Sequence, residues 1–558
     1  MRRDYLLITG LALLFFFPYL GGIHLFDWDE INFAECAREM LVTGNWSCPQ
    51  IDFQPFWQKP PLFFWAQAIS MHLFGVNEFA ARFPNAVCGL ATLLLVFRIG
   101  SRLHDRMFGW LWVLAWLGSF LPHFYFRSGI IDPWFNLLIF CGLYGFIEFR
   151  WQFLTRNNAT TFWQKYRWLL VGGGLLGMAV MTKGLMAYLI VILVLVLYWA
   201  RYRFRGRGYL KHLVFFSAAT MLASGLWFGV EIALHGTDFV RQFIAYQIRL
   251  FAAPDAAQGG FWGYHVAVLL LGCFPVSVFA LPNLWGDRQS EDEMLESDTL
   301  ASCKRSDLVT WMQLLFWVAL ILFSFTKTNI VHYSSLAYFP LTYLGAVTIW
   351  RAIRWGVRPK VTTFLLPVLG VLLGAAVMAV PYLGQRPELL QSFFADNLFT
   401  LSALHADVQW ELWHGLPGLV LAVSSIAGLY FWKTNRAWLA AQTVFIGGAV
   451  FTKLTMIFVV CNIEGHTQRA AIEFCESKCG EPCNVQPVGF KSFAHLFYAC
   501  KMPGAAQGKT YFVAKISDLG ALPQMPGCRE LYRKNGFVFF EQTDSPAFKK
   551  EGKHVPNK

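Results

Sequence analysis

Charged residues are scarce in this chain: Asp, Glu, Lys and Arg make up 14% of 558 residues, where a soluble globular domain carries about 25%. With 56% hydrophobic residues, that scarcity excludes an ordinary soluble fold. Such a fold has no interior large enough for runs such as VILVLVLYWA at 191–200. The start of the chain lacks a small-residue cleavage site. MRRDYLLITGLALLFFF is followed by the bulky PYLGGIHLF, so the segment reads as a retained first helix rather than a secretory leader. A nucleotide-binding glycine-rich loop is also missing. LVGGGLLG at 170–177 lies inside an apolar run and reads as a site of close helix packing. The net charge of +12 does not point to nucleic acid, because the basic residues fall in short clusters between apolar segments, the pattern of a membrane protein.

Apolar segments suited to a hydrocarbon layer of about 30 Å occur near 5–22, 83–98, 107–122, 132–149, 168–182, 185–200, 212–230, 264–282, 309–325, 335–350, 361–380, 414–431 and 437–460. They predict about thirteen transmembrane helices. The shorter stretch 61–74 is expected to lie along the interface. Arg2 and Arg3, Arg98 to Arg106, Arg150 to Arg167, Arg201 to Lys211, Arg351 to Lys360, and Lys433 with Arg436 all fall on alternate connections. This bias places the N-terminus inside and the tail outside. The acidic segment 287–305 reads as a solvated loop.

The expected organisation is an all-α polytopic membrane domain over 1–460, with outer loops 23–82 and 231–264. A soluble domain over 461–558 follows it, small and α/β or α+β, with strand-like pieces KTYFVAKI and GFVFFEQ. Cys88, Cys141 and Cys273 read as apolar fillers within helices. Cys475, Cys479, Cys483, Cys500 and Cys528 in the tail could form disulfides outside the cell, stay free, or hold a metal; the sequence does not give the pairing.

Ionisable groups at a membrane rim need partners or work, and they gather on the outer connections. Asp27, Asp29 and Glu30 precede a helical pattern. Capping accounts for one of them, and a general base for an acceptor hydroxyl would account for another. Lys59, before two prolines and among aromatic residues, either snorkels or meets a lipid phosphate. Arg127 and Asp132 stand at the mouth of the fourth span. Lys183 joins two helices on the side where lysine is disfavoured, and Lys327, His332 and Tyr333 fall on that same side. The loop 231–264 and its end add Arg241, Tyr246, Arg249 and His265. Together these suit a negatively charged, lipid-linked substrate.

DWDEINFAECAREM, then FWQKPPLFFW, then FGVNEFAARFPNA resemble the N-terminal signature of the aminoarabinose transferase and protein O-mannosyltransferase family, GT-C glycosyltransferases that use polyprenyl-phosphate sugars. RSGIIDPWF at 127–135, TKG at 182–184, and Lys327 with Tyr333 fall in family order. The resemblance implies Asp29 as catalytic base with Glu30 as its supporting acid and Asp132 near the sugar. It implies Lys59 and Lys183 at the lipid phosphate, with Arg127, Lys327 and Tyr333 as further pocket residues. Relatives of the aminoarabinose type commonly carry Glu-Lys-Pro-Pro and a histidine in the loop that here reads DAAQGGFWGYH. In relatives those two positions resemble a divalent-metal site; Gln58 and that loop make a poor one, which puts metal dependence in question, and no other cofactor is implied.

The implied reaction is an inverting transfer from undecaprenyl phosphate to an envelope acceptor, foremost aminoarabinose to lipid A. Hexosyl or mannosyl transfer to protein or another glycan is the alternative within the same chemistry. A transporter or flippase for a lipid-linked molecule is the alternative outside it, and it would need polar groups near the midplane rather than at one rim. The implied location is a bacterial inner membrane, with the tail in the periplasm.

Overall fold

The computed structural model describes residues 1–155, 161–205, 208–252, 263–286, 300–325, 330–504, 508–521 and 527–542. Helix α1 (Arg2–Phe16) leads through a loop to α2 (Asp29–Thr43), the short antiparallel pair β1 (Gln50–Ile51) and β2 (Gln54–Pro55), and α3 (Leu62–Phe74). Then follow α4 (Glu78–Leu103), α5 (Arg106–Gly118), α6 (Phe120–Tyr125), α7 (Asp132–Thr155), α8 (Phe162–Lys183), α9 (Met186–Arg201), α10 (Tyr209–His235) and α11 (Asp238–Ala252). Local sequence fixes several boundaries. Asn77 caps α4 by accepting from the Ala80 amide at 2.9 Å, and Asp105 caps α5 by accepting from the Phe108 amide at 2.8 Å.

The helical membrane class is as expected, but the number of spans is not about thirteen. Among the described residues seven helices are long and apolar enough to cross a membrane, and eight if the bent pair of α12 (Tyr264–Gly272) and α13 (Val276–Ala280) with its extension to Asn283 counts as one span. That pair turns through 106°. Several apolar runs form only short helices. α1 has 15 residues and α5 has 13, about 23 and 20 Å at 1.5 Å per residue, against a hydrocarbon layer of about 30 Å. The apolar side chains of α5 serve the protein interior: every residue from Leu111 to Gly118 is buried. The run 107–122 is further divided at Ser119, whose extended backbone separates α5 from α6.

Close packing of the helices uses the glycines of the 170–177 run as expected. A Cβ at Gly173 would stand 2.7 Å from that of Ala219, and one at Gly177 would stand 2.6 Å from that of Ala223. Only hydrogen lets α8 and α10 approach so closely.

The helix Ala437–Thr455 continues through a short π segment to Thr467. Beyond it lies a mixed sheet of β3 (Cys483–Val488), β4 (Lys509–Lys515), β5 (Cys528–Lys534) and β6 (Phe537–Gln542), in the order β3-β4-β6-β5. β3 pairs parallel with β4, and the other pairs are antiparallel. The long crossover that a parallel pair requires contains the helix Ala494–Phe497. Val485, Val513, Val538 and Phe539 form its buried core. Cys479 and Cys500 are joined in a disulfide. This C-terminal unit is tied to the loop before α2: Tyr498 accepts from the Leu25 amide at 2.7 Å, and Gln468 donates to the Leu25 carbonyl at 2.9 Å. Arg38 of α2 donates to the Lys501 carbonyl at 2.9 Å.

Candidate active site

α2 begins at Asp29, and Trp28 holds the cap position without a side-chain cap bond. The three acids of 27–30 differ by environment. Glu30 is buried and accepts from Arg82 at 3.0 and 2.9 Å, from the Phe26 amide at 3.0 Å, and from the Gly129 amide. Burial opposes its charge, yet Arg82 and the two amides hold its carboxyl below the usual carboxylate range. Glu30 thereby ties α2 to α4 and to the segment before α7. Asp27 is pushed up to about 6, chiefly by burial, with a hydrogen bond from Ser492 and the charge of Lys515 working the other way.

Asp29 keeps a side chain 36% exposed, and its Oδ2 lies 3.3 Å from His332 Nε2. Burial holds the His332 imidazole below its ordinary value, with the charge of Asp132 raising it and that of Lys183 lowering it. A neutral His332 donating from Nε2 orients the carboxylate and leaves its second oxygen available; the tautomer is assigned from this contact.

Asp132 opens α7 and is buried, and Lys183 at the end of α8 places Nζ 2.6 Å from its Oδ1. The ammonium also stands 5.3 Å from the centre of the Tyr333 ring and 5.7 Å from that of Phe135. Gly184 follows with φ +106°, where a Cβ would lie 2.7 Å from the Phe243 ring. Glycine therefore lets the chain turn directly after the lysine. Lys59 stands over the Tyr246 ring at 5.6 Å, and Arg249 shares that ring at 5.4 Å.

Asp29, Lys59, Asp132, Lys183, His332 and Tyr333 all line one cavity of about 870 Å³. Glu30 borders it too, with its carboxylate engaged as above. Arg127 is not among the lining residues: its guanidinium donates to the carbonyls of Phe15 at 2.6 Å and Pro18 at 2.9 Å, bracing the end of α1. Lys327 lies outside the described residues, as does most of the DAAQGGFWGYH segment. Gln58 lines the cavity with a neutral amide where a metal ligand would need a carboxylate. Among the described residues no group of three His, Cys, Asp or Glu ligand atoms converges there. Among the described residues the donor set does not fit a divalent metal.

Sequence reasoning missed the contribution of the C-terminal unit. Lys491 and Phe493 line the same cavity, and the Lys491 ammonium stands 5.3 Å from the Trp28 ring centre. No motif marks them. The pairing of His332 with Asp29 also went unread, although that histidine stood among the rim residues.

Such an arrangement offers a partly exposed carboxylate, a fixed ammonium–carboxylate pair and further cations around one cavity. Residues 6–240 match the family model described as dolichyl-phosphate-mannose-protein mannosyltransferase. The undecaprenyl phosphate-alpha-4-amino-4-deoxy-L-arabinose arabinosyl transferase of Photorhabdus laumondii is 27% identical over 77% of this chain and 72% of its own length. The enzyme so named from Pectobacterium carotovorum is 28% identical, over 73% and 70%. The crystal structure of ArnT from Cupriavidus metallidurans in the apo state superposes with a TM-score of 0.74 at 16% identity, covering 96% of this chain and 97% of that one. The same protein bound to undecaprenyl phosphate gives 0.72 at 16% identity, with 97% and 98% covered.

Proposed function

We propose that the chain is a GT-C glycosyltransferase of the aminoarabinose transferase and protein O-mannosyltransferase type, a reading that the family model and the relatives support, and that it moves 4-amino-4-deoxy-L-arabinose, or a related sugar, from undecaprenyl phosphate to lipid A with inversion at the anomeric carbon. The observation that carries the reading is the convergence of Asp29, Lys59, Asp132 and Lys183 on one cavity. Asp29 takes the proton of the acceptor hydroxyl or phosphate as its oxygen forms a bond to the anomeric carbon. The bond from that carbon to the carrier phosphate breaks, and its electron pair leaves with undecaprenyl phosphate. This leaving group needs no general acid, unlike the sugar alkoxide in glycoside hydrolysis.

Lys183, fixed by Asp132, and Lys59 stabilise the charge that grows on the departing phosphate. Tyr333 packs beside that ammonium, and Lys327 is assigned to the same anionic pocket on the family resemblance alone. Glu30 and Arg127 act as positioning residues: Glu30 holds the start of α2, and Arg127 holds the end of α1.

We place the membrane domain at 1–460 and the outer domain at 461–558. The protein is then a multi-pass protein of the bacterial inner membrane, with its N-terminus in the cytoplasm and its outer domain in the periplasm. The alternating basic clusters support this orientation, as does the Cys479–Cys500 disulfide, which suits an oxidising compartment. Gln58 in place of the glutamate of aminoarabinose-type relatives favours a second reading, in which a hexose goes to protein or another glycan.

Mass spectrometry of lipid A from cells with and without the gene separates the two. A pentosamine mass present only with the gene supports the first reading. Identical lipid A in both strains overturns it in favour of the second.

A further inference from the structure

Three segments far apart in the chain meet at the junction between the membrane domain and the C-terminal unit. His24 lies in the loop between α1 and α2, Glu78 opens α4, and Glu476 ends the helix Arg469–Glu476. One ligand atom from each lies within 4.8 Å of the other two.

The surroundings of His24 are those of a metal-ligating imidazole. Its Nδ1 lies 2.9 Å from Oε1 of the buried Glu464. A proton on Nδ1 donated to that carboxylate leaves a lone pair on Nε2, which faces Glu476 with Oε1 at 3.7 Å. Metal-bound histidines are oriented by such a carboxylate on the far nitrogen, which also raises their basicity. The ring meets Tyr498 edge to face at 5.6 Å between centres.

Charge counting points the same way. Arg469 lies 2.7 Å from Glu464 and neutralises it. With a neutral imidazole, Glu78 and Glu476 leave two negative charges, the complement of one divalent cation. An imidazolium clasped between them would offset only one.

We propose that His24, Glu78 and Glu476 hold a divalent cation of the zinc class, clamping the C-terminal unit to the loop that leads to Asp29. One nitrogen and two carboxylates suit zinc, with water completing the tetrahedron. Magnesium and calcium prefer sets made of oxygen alone. The clamp would hold the loop 24–28 against the unit that brings Lys491 and Phe493 to the cavity. It uses neither Gln58 nor the 255–265 loop.

The test is zinc content by inductively coupled plasma mass spectrometry. The full chain in detergent is stripped with EDTA and equilibrated with micromolar Zn²⁺, alongside His24→Gln and Glu476→Gln. Glu476 is 45% exposed, so its variant keeps the fold should that of His24 fail. The expected result is one more zinc per chain in the wild type than in Glu476→Gln, and zinc affinity falling ~10-fold or more with Glu464→Gln. EDTA should lower the thermal midpoint of the wild type and leave that of Glu476→Gln in place. Equal zinc in the wild type and Glu476→Gln overturns the site and leaves a protonated His24 between carboxylates. Equal EDTA shifts in the two proteins overturn the clamp.

Discussion

Two cavities lie at the two ends of α7, and both gather cations. Asp132 opens the helix at the first cavity, and Arg150, Trp151 and Leu154 close it at the second, about 27 Å away along the helix axis. The second cavity, of about 690 Å³, is lined by Arg150, Arg201, Arg203, Arg205 and Lys304. Among the described residues its one carboxylate, Asp307, accepts from Trp151 at 2.7 Å, Tyr198 at 2.6 Å and Trp311 at 3.1 Å. Arg150 stands over the rings of Tyr209 and Tyr198 at 4.7 and 5.6 Å. Asp307 is thus engaged by three donors as a structural acceptor. At the first cavity Asp29 lies 3.3 Å from His332 and keeps a third of its surface open. Clustered positive charge is what a membrane protein shows at either end of its helices. A half-exposed, oriented carboxylate among those charges is what separates a reaction site from an anchoring rim.

Asp29→Asn should break the contrast most severely, with kcat falling ~1000-fold at unchanged thermal stability. Lys183→Met comes next. It removes the fixed charge at the leaving phosphate and leaves Asp132 without its 2.6 Å partner, so kcat should fall ~100-fold; steady-state kinetics with a polyprenyl-phosphate sugar reads both. At the second cavity Asp307→Asn should leave kcat within ~2-fold. It should nonetheless lower stability by ~1–2 kcal/mol, because hydrogen bonds from two indoles and a phenol lose a charged acceptor; a melting curve measures this.

The smallest expected effect is a pH dependence at the first cavity. Asp27 rises from 3.8 to about 6 on folding, so the folded state binds its proton more tightly than the unfolded chain does. The stability this gives is complete below pH ~4 and is lost as pH rises through ~6, and because the side chain is open to solvent it is small. Asp27→Asn should remove that part of the slope between pH 4 and 7, read as the difference between the melting temperatures of the two proteins.

Much of the first cavity was legible in the sequence because its chemistry falls on motifs that are local in the chain: Asp29 before a helical pattern, Lys59 before two prolines, Asp132 before Pro133, Lys183 before Gly184. What stayed hidden depends on contacts across the chain. Lys491 reaches the cavity from a C-terminal unit without a motif, and the His332–Asp29 pair joins residues 303 positions apart. Arg127 was expected in the pocket because it lies five residues before Asp132, but its guanidinium turns to the carbonyls at the end of α1. The span count failed for a related reason. Hydropathy records a preference for leaving water and does not distinguish lipid from protein interior, so the 13 residues of α5, packed on nearly all sides by protein, read as a crossing.

The most direct test of Asp29 as the base is a side-by-side assay of the purified wild type, Asp29→Asn and Asp307→Asn, with undecaprenyl phosphate aminoarabinose and lipid A. Binding of the carrier is measured on the same preparations. The account predicts that Asp29→Asn binds the carrier within a few-fold of the wild type yet turns over ~1000-fold more slowly, while Asp307→Asn turns over normally. Turnover by Asp29→Asn within ~5-fold of the wild type would contradict it.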